Sequence, residues 1–184
     1  MCQPDRHDTA EGGVNNIQDG GKITGQRTYV AGGKKLIETT YNDWLSRASV
    51  DPLSDKIDRV YGVTYSIDAK KYYFIVGCAV EDNNEFGVFF QLVDKTASDL
   101  RGMRLDIVYR FDSDAPISAN WKMGDMGSIL MDEDAIKFIR QAIGKKSVVV
   151  KISLMGATND TRSYSLIGMS DAISDSLARC KIKL

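Results

Sequence analysis

Histidine is almost missing: the 184 residues include one, His7, in a polar front segment. A single histidine all but removes Ser-His-Asp and Cys-His relays and multi-histidine metal sites. An excess of either charge is missing too. Lys and Arg number 24 against 25 Asp and Glu, a net charge of −1, so no field-driven nucleic-acid partner is expected. Apolar runs stay far short of the ~18 residues a membrane helix needs. Phosphate loops are absent as well. Thr28-Tyr29-Val30-Ala31-Gly32-Gly33-Lys34 lacks the first glycine of the Walker spacing, and Lys35 stands where a magnesium-binding Ser or Thr belongs. There is neither a Gly-x-Gly-x-x-Gly after a strand nor a Gly-x-Ser-x-Gly elbow. No cofactor and no catalytic residue is assigned on these grounds.

What is present is a body and a tail. Residues 1–40 carry Gly12-Gly13, Gly20-Gly21 and Gly32-Gly33 with few large apolar groups. Such a stretch offsets little chain entropy and reads as a flexible linker, with Thr28-Tyr29-Val30 pairing at most briefly. Residues 41–184 read as a single globular domain. The chain is 43% hydrophobic, and a domain of this size buries a core without needing a metal or a disulfide.

Strand patterns dominate that body. Alternation or β-rich composition marks 60–67, 72–80, 86–93, 104–111, 147–154 and 162–167, with weaker signals at 118–123 and 128–131. Asp132-Glu133-Asp134 opens a helix that Gly144 closes, with Ile136, Ile139 and Ile143 at helical spacing. A second helix is expected from Ser170-Asp171, with Met169, Ile173, Leu177 and Cys180 as its apolar stripe. The fold class that follows is α+β: a mainly antiparallel, sandwich- or barrel-like β body with two helices near the C-terminus.

Loops on such a body are the natural recognition surface. The candidates are Asp82, Asn83 and Asn84 in a hairpin loop, Asp112 and Asp114 in a strand-end turn, and Arg110 and Trp121 flanking that turn. An arginine beside an aromatic can recognise a carboxylate. The plainer alternative has Trp121 in the core and Arg110 paired with a nearby acid. The acidic clusters at 112–114 and 132–134 lack calcium-loop spacing, so no metal is assigned.

Three cysteines remain. Cys78 lies on an apolar strand face and Cys180 on the apolar stripe of the last helix. Both are compatible with plain burial, or with one bridge if that helix packs on that strand. A bridge would imply an oxidising compartment. Cys2 is ordinary if Met1 is the native start. If Met1 stands in for a removed signal, Cys2 is the lipidation position of a bacterial lipoprotein, and residues 1–40 would serve as its tether.

Trp44-Leu45-Ser46-Arg47, Asp51-Pro52-Leu53-Ser54-Asp55, Phe74-Ile75-Val76-Gly77-Cys78, Val108-Tyr109-Arg110-Phe111-Asp112, Trp121, Phe138-Ile139, Val148-Val149-Val150, Leu166-Ile167-Gly168 and Cys180 follow in order. In this series residues 44–184 resemble the periplasmic accessory proteins of type VI secretion, the VasI/TagO-like family. The resemblance implies a small exported β-rich domain with a strand cysteine and a C-terminal cysteine, here Cys78 and Cys180. It carries over no catalytic residues. The functional expectation is a non-enzymatic envelope domain, periplasmic or lipid-anchored, that binds another protein. Two alternatives stand beside it: a phage- or prophage-encoded protein binding a host or virion component, and a carboxylate-dependent hydrolase of cell wall or saccharide. If Met1 is native, cytoplasm or virion replaces the envelope.

Overall fold

A computed structural model of the chain describes residues 24–69, 72–79, 85–91, 102, 104–123, 128–153 and 160–184. The first finding corrects the domain boundary. Within the segment read as linker, β1 (Gly25–Ala31) and β2 (Lys34–Tyr41) form an antiparallel hairpin. Its two-residue turn is Gly32-Gly33, both at positive φ (58° and 77°), the conformation whose twist matches the flanking strands. Composition misleads here because the most buried side chain of the hairpin is a carboxylate. Glu38 is 2% exposed and lies between two arginines, one on each neighbouring strand.

The sheet continues through β3 (Trp44–Val50), β4 (Ile57–Tyr65), β5 (Tyr73–Ala79) and β6 (Glu85–Phe90), each antiparallel to the one before. The chain then crosses over. β7 (Arg104–Phe111), β8 (Ile117–Met123) and β9 (Ser128–Met131) enter in reverse order, with β9 pairing β6. After the helix α1 (Asp132–Ala142), β10 (Ser147–Ser153) pairs β7, and β11 (Asp160–Ser165) pairs β10. The order is β1-β2-β3-β4-β5-β6-β9-β8-β7-β10-β11, antiparallel at every step. The α+β, mainly antiparallel class expected from sequence is the one observed.

The sheet folds back on itself in a sandwich-like way, so strands distant in its order face each other. Tyr164 on β11 lies 5.8 Å from Phe74 on β5 and 5.2 Å from Phe90 on β6, ring centre to ring centre. The alternation that identified the strands aims these residues inward. In β7, Leu105, Ile107, Tyr109 and Phe111 are buried and the residues between them exposed. α1 fills the space between the two halves. Its buried positions Ala135, Phe138, Ile139 and Ala142 recur at helical spacing. Phe138 sits 5.1–6.0 Å from the rings of Phe74, Phe90, Tyr109, Phe111 and Trp121. The expected stripe is corrected at one end, since Ile143 is 41% exposed.

The predicted last helix is two short ones, α2 (Met169–Ala172) and α3 (Ser174–Arg179). Gly168 begins them at φ 93°, where a side chain would overlap the Tyr41 carbonyl oxygen. Ile173, between the helices, is fully buried against Gly62 of β4, where a Cβ would come within 2.7 Å of it. The Ser176 hydroxyl donates to the Val60 carbonyl at 2.9 Å. That docking brings Cys180 to Cys78. The two form a disulfide across 102 residues, Cα to Cα 5.8 Å. Among the described residues no helix is long and apolar enough to cross a membrane.

Candidate functional site

β4 and β11 end an eight-strand run of the sheet, and the two ends meet. Ser66, one residue past β4, bridges Tyr164, and the Ile67 N–H donates to the Ser163 carbonyl at 2.8 Å. The turn between β2 and β3 locks onto the same place. The Asp43 N–H donates to the Ile167 carbonyl at 3.3 Å and the Trp44 indole N–H to the Ser165 carbonyl at 2.8 Å. The Ser165 hydroxyl donates to the Asp43 carboxylate at 2.5 Å, and the Thr64 hydroxyl to the Asp43 carbonyl at 2.7 Å. These bonds make a seam that closes the body.

An open depression of about 760 Å³ lies on this seam, lined by Asp43, residues 64–67, Lys146, Ser165 and Ile167. Three of the large apolar side chains that stay exposed line it: Tyr65, Ile67 and Ile167, at 37, 58 and 49%. Ser66 is 1% exposed, and among the described residues its hydroxyl has no hydrogen-bond partner. Tyr65 also lines a second groove of about 220 Å³ with Arg47, Tyr61, Tyr73, Ile75, Phe89 and Gln91. The register puts these residues on the face of β3–β6 opposite the core. Tyr65 and Tyr73 meet edge to face at 5.1 Å, and Arg47 lies 5.9 Å over the Tyr61 ring. An apolar rim with a few convergent polar groups is the profile of a recognition surface.

The polar groups here are held as structural anchors. Ser165 Oγ, while donating to Asp43, accepts from the Ile167 N–H at 3.2 Å. Glu38 accepts from Arg27 Nε at 2.7 Å and from Arg47 Nη2 at 2.5 Å. Burial raises its carboxyl, but Arg47 and Arg27 outweigh burial and hold it below the usual carboxylate range. Burial raises Asp58 as well, and the bonds from Lys34 and Ser49 more than reverse it. These carboxylates are stable anions, the opposite of what a general acid requires. Among the described residues no group of three His, Cys, Asp or Glu is placed to hold a metal.

The structure separates the residues the sequence grouped. Trp121 is 1% exposed and packs on Phe138, so it is core and unavailable to a partner; its candidacy as a surface residue is corrected. Arg110 is exposed on the opposite face of β7, because the strand's alternation turns it away from the core that Trp121 fills. Asp112, at φ 46°, accepts from the Ser147 and Lys146 N–H groups at 2.8 and 3.0 Å. Desolvation raises its carboxyl, and those backbone donors prevail and lower it. Asp114 pairs with Lys145 at 2.7 Å. The acidic turn therefore clamps the chain entering β10. Asp82, Asn83, Asn84 and Cys2 lie outside the described residues.

The seam residues escaped sequence reasoning. Tyr65, Ile67 and Ile167 fall at strand ends where an exposed apolar group breaks the pattern only slightly. Their convergence depends on a closure between segments about a hundred residues apart in sequence. Compared with known proteins, the chain matches no family model, no curated protein and no solved structure.

Proposed function

We propose that this protein is an exported accessory domain of the bacterial envelope that binds another protein without catalysis, seating its partner along the seam depression and the groove that shares Tyr65. One observation carries the reading: three exposed apolar side chains converge on one depression of a disulfide-clasped body. Large apolar groups gathered at one place on a soluble surface mark an interaction site, because isolated exposure would scatter them. The Cys78–Cys180 bridge supports the compartment, since such bonds persist where thiols are not kept reduced. Within that class, the resemblance of residues 44–184 to type VI secretion accessory proteins makes the periplasm the proposed location, with a lipid at Cys2 as the proposed link to a membrane.

The experiment is fractionation of the native host followed by alkylation of the protein under denaturing conditions, with and without prior reduction. Recovery in the envelope fraction, with Cys78 and Cys180 labelled only after reduction, is the expected result. Cytoplasmic recovery with both thiols free overturns it.

A further inference from the structure

β1 ends the sheet at one side, and the other end is already closed where β11 meets the residue after β4. Among the described residues nothing pairs with the outer edge of β1. Native sheets blunt such edges with proline, lysine, bulges or a covering element. β1 reads Gly-Gln-Arg-Thr-Tyr-Val-Ala and contains neither proline nor lysine. Its one charge, Arg27, is paired with Glu38 of its own sheet. Val30 is 73% exposed.

The two-residue turn fixes which backbone groups face outward. Ala31 opposite Lys34 is the hydrogen-bonded pair that closes such a turn, so Tyr29–Leu36 and Arg27–Glu38 are hydrogen-bonded pairs as well. The N–H and C=O groups of Gln26, Thr28 and Val30 therefore point away from β2 along the open edge.

We propose that this edge takes a second copy of the same chain, β1 pairing antiparallel with β1 about a two-fold axis at Thr28. The sequence is complementary to itself in that register. Thr28 faces Thr28 of the partner copy, and Gln26 faces the other copy's Val30. These are hydrogen-bonded pairs built from the outward-facing groups on both sides, each exchanging two bonds. Arg27 then lies opposite the other copy's Tyr29, in the closer, non-hydrogen-bonded kind of pair. Within one chain Arg27 already sits 5.2 Å over the Tyr29 ring, so each guanidinium gains a second aromatic partner. Each Arg27 stays tied to its own Glu38, which limits repulsion between the two arginines. Because the opposite end of the sheet is closed, pairing stops at two chains and does not propagate into a fibre. An unrelated extended peptide on this edge is the competing occupant.

The test is sedimentation of the full chain across a concentration series, with two variants. Thr28→Pro removes the central outward N–H while leaving the β1–β2 ladder, which does not use it; edge strands tolerate proline in that position. The expected result is a dimer that Thr28→Pro weakens roughly ten- to a hundred-fold, for the loss of the central pair of bonds. Thr28→Cys, in a Cys2→Ser background, cross-links to a covalent dimer under mild oxidation, while Leu53→Cys, exposed in the turn between β3 and β4 and not on the β1 edge, does not; this arm stands even if the proline variant fails to fold. A wild-type monomer at every concentration, a dimer indifferent to Thr28→Pro, or equal cross-linking of the two cysteine variants overturns the proposal.

Discussion

The closed body and the terminal hairpin are parts of one sheet held together by different means. Between β4 and β11, ring stacks on ring around Phe138, and most of the buried side chains are apolar. In β1 and β2 no side chain is fully buried, and the most buried one, Glu38, is charged. The body can exclude water because the sheet curls around α1. The hairpin lies beyond the curl, and among the described residues no layer opposes β1. Its strands are joined by backbone bonds and by a row running Arg27–Glu38–Arg47–Tyr61 across four strands. Where a second layer is missing, charge-assisted hydrogen bonds replace apolar contact as the source of register.

The largest effect expected from this contrast is at Phe138. Phe138→Ala removes the ring that five others contact, in a site whose walls are three-dimensionally braced and collapse poorly. A loss of about 4 kcal/mol is expected in urea unfolding. Tyr29→Ala in the hairpin is expected to cost less than about 1 kcal/mol, as for other partly exposed positions. Equal losses at the two positions would remove the distinction between the regions.

How far sequence carried toward this picture follows the same division. β7 was legible because Leu105, Ile107, Tyr109 and Phe111 alternate strictly, and the structure buries those four. Cys78 and Cys180 were legible as facing the core, and their pairing needed only that the last helices dock on β4 and β5. The hairpin was not legible, because pattern reading looks for buried apolar groups and Glu38 is buried by salt bridges formed in the sheet. The seam was invisible for a related reason: Asp43, Ser66 and Ser165 are ordinary turn and strand residues until distant segments meet. Arg110 and Trp121 looked like neighbours around one turn, but alternation sends them to opposite faces of the sheet.

The second prediction concerns the clasp between the body and its C-terminal helices. Opening the bridge, by reduction or by Cys78→Ser with Cys180→Ser, frees a loop of about a hundred residues in the unfolded chain. A loss of roughly 3 kcal/mol is expected, read as a lower urea midpoint. Hydrogen exchange should localise any opening of the native state to α2, α3 and the facing parts of β4 and β5. Protection of the β1–β2 amides should stay at its oxidised level relative to global unfolding. If the hairpin opens together with the helices, the two regions are one cooperative unit and the contrast fails.

An effect smaller than the loss of the ring or of the bridge is the most diagnostic, because it distinguishes charge from packing in the hairpin. Glu38→Gln keeps the shape of the side chain and deletes its charge. Arg47, whose side chain is 21% exposed, then keeps its positive charge without the carboxylate that balances it. A cost of about 2 kcal/mol is expected near neutral pH, below the usual range for a fully buried pair because Arg27 is largely open to solvent. The pH dependence has a definite sign. Arg47 and Arg27 hold the Glu38 carboxyl below its ordinary value, so the unfolded chain binds the proton more readily than the folded one. The stabilisation is complete above the unfolded value of about 4.5 and is lost as pH falls through the lower, folded value. Asp58, lowered by Lys34 and Ser49, adds a loss of the same sign in the same acid range. Melting temperatures of wild type and Glu38→Gln should therefore converge as pH falls below about 4.5, the Asp58 contribution remaining in both. Coincident curves already at neutral pH would mean that Glu38 acts through its shape, which Gln preserves, and the hairpin would then be held by packing after all.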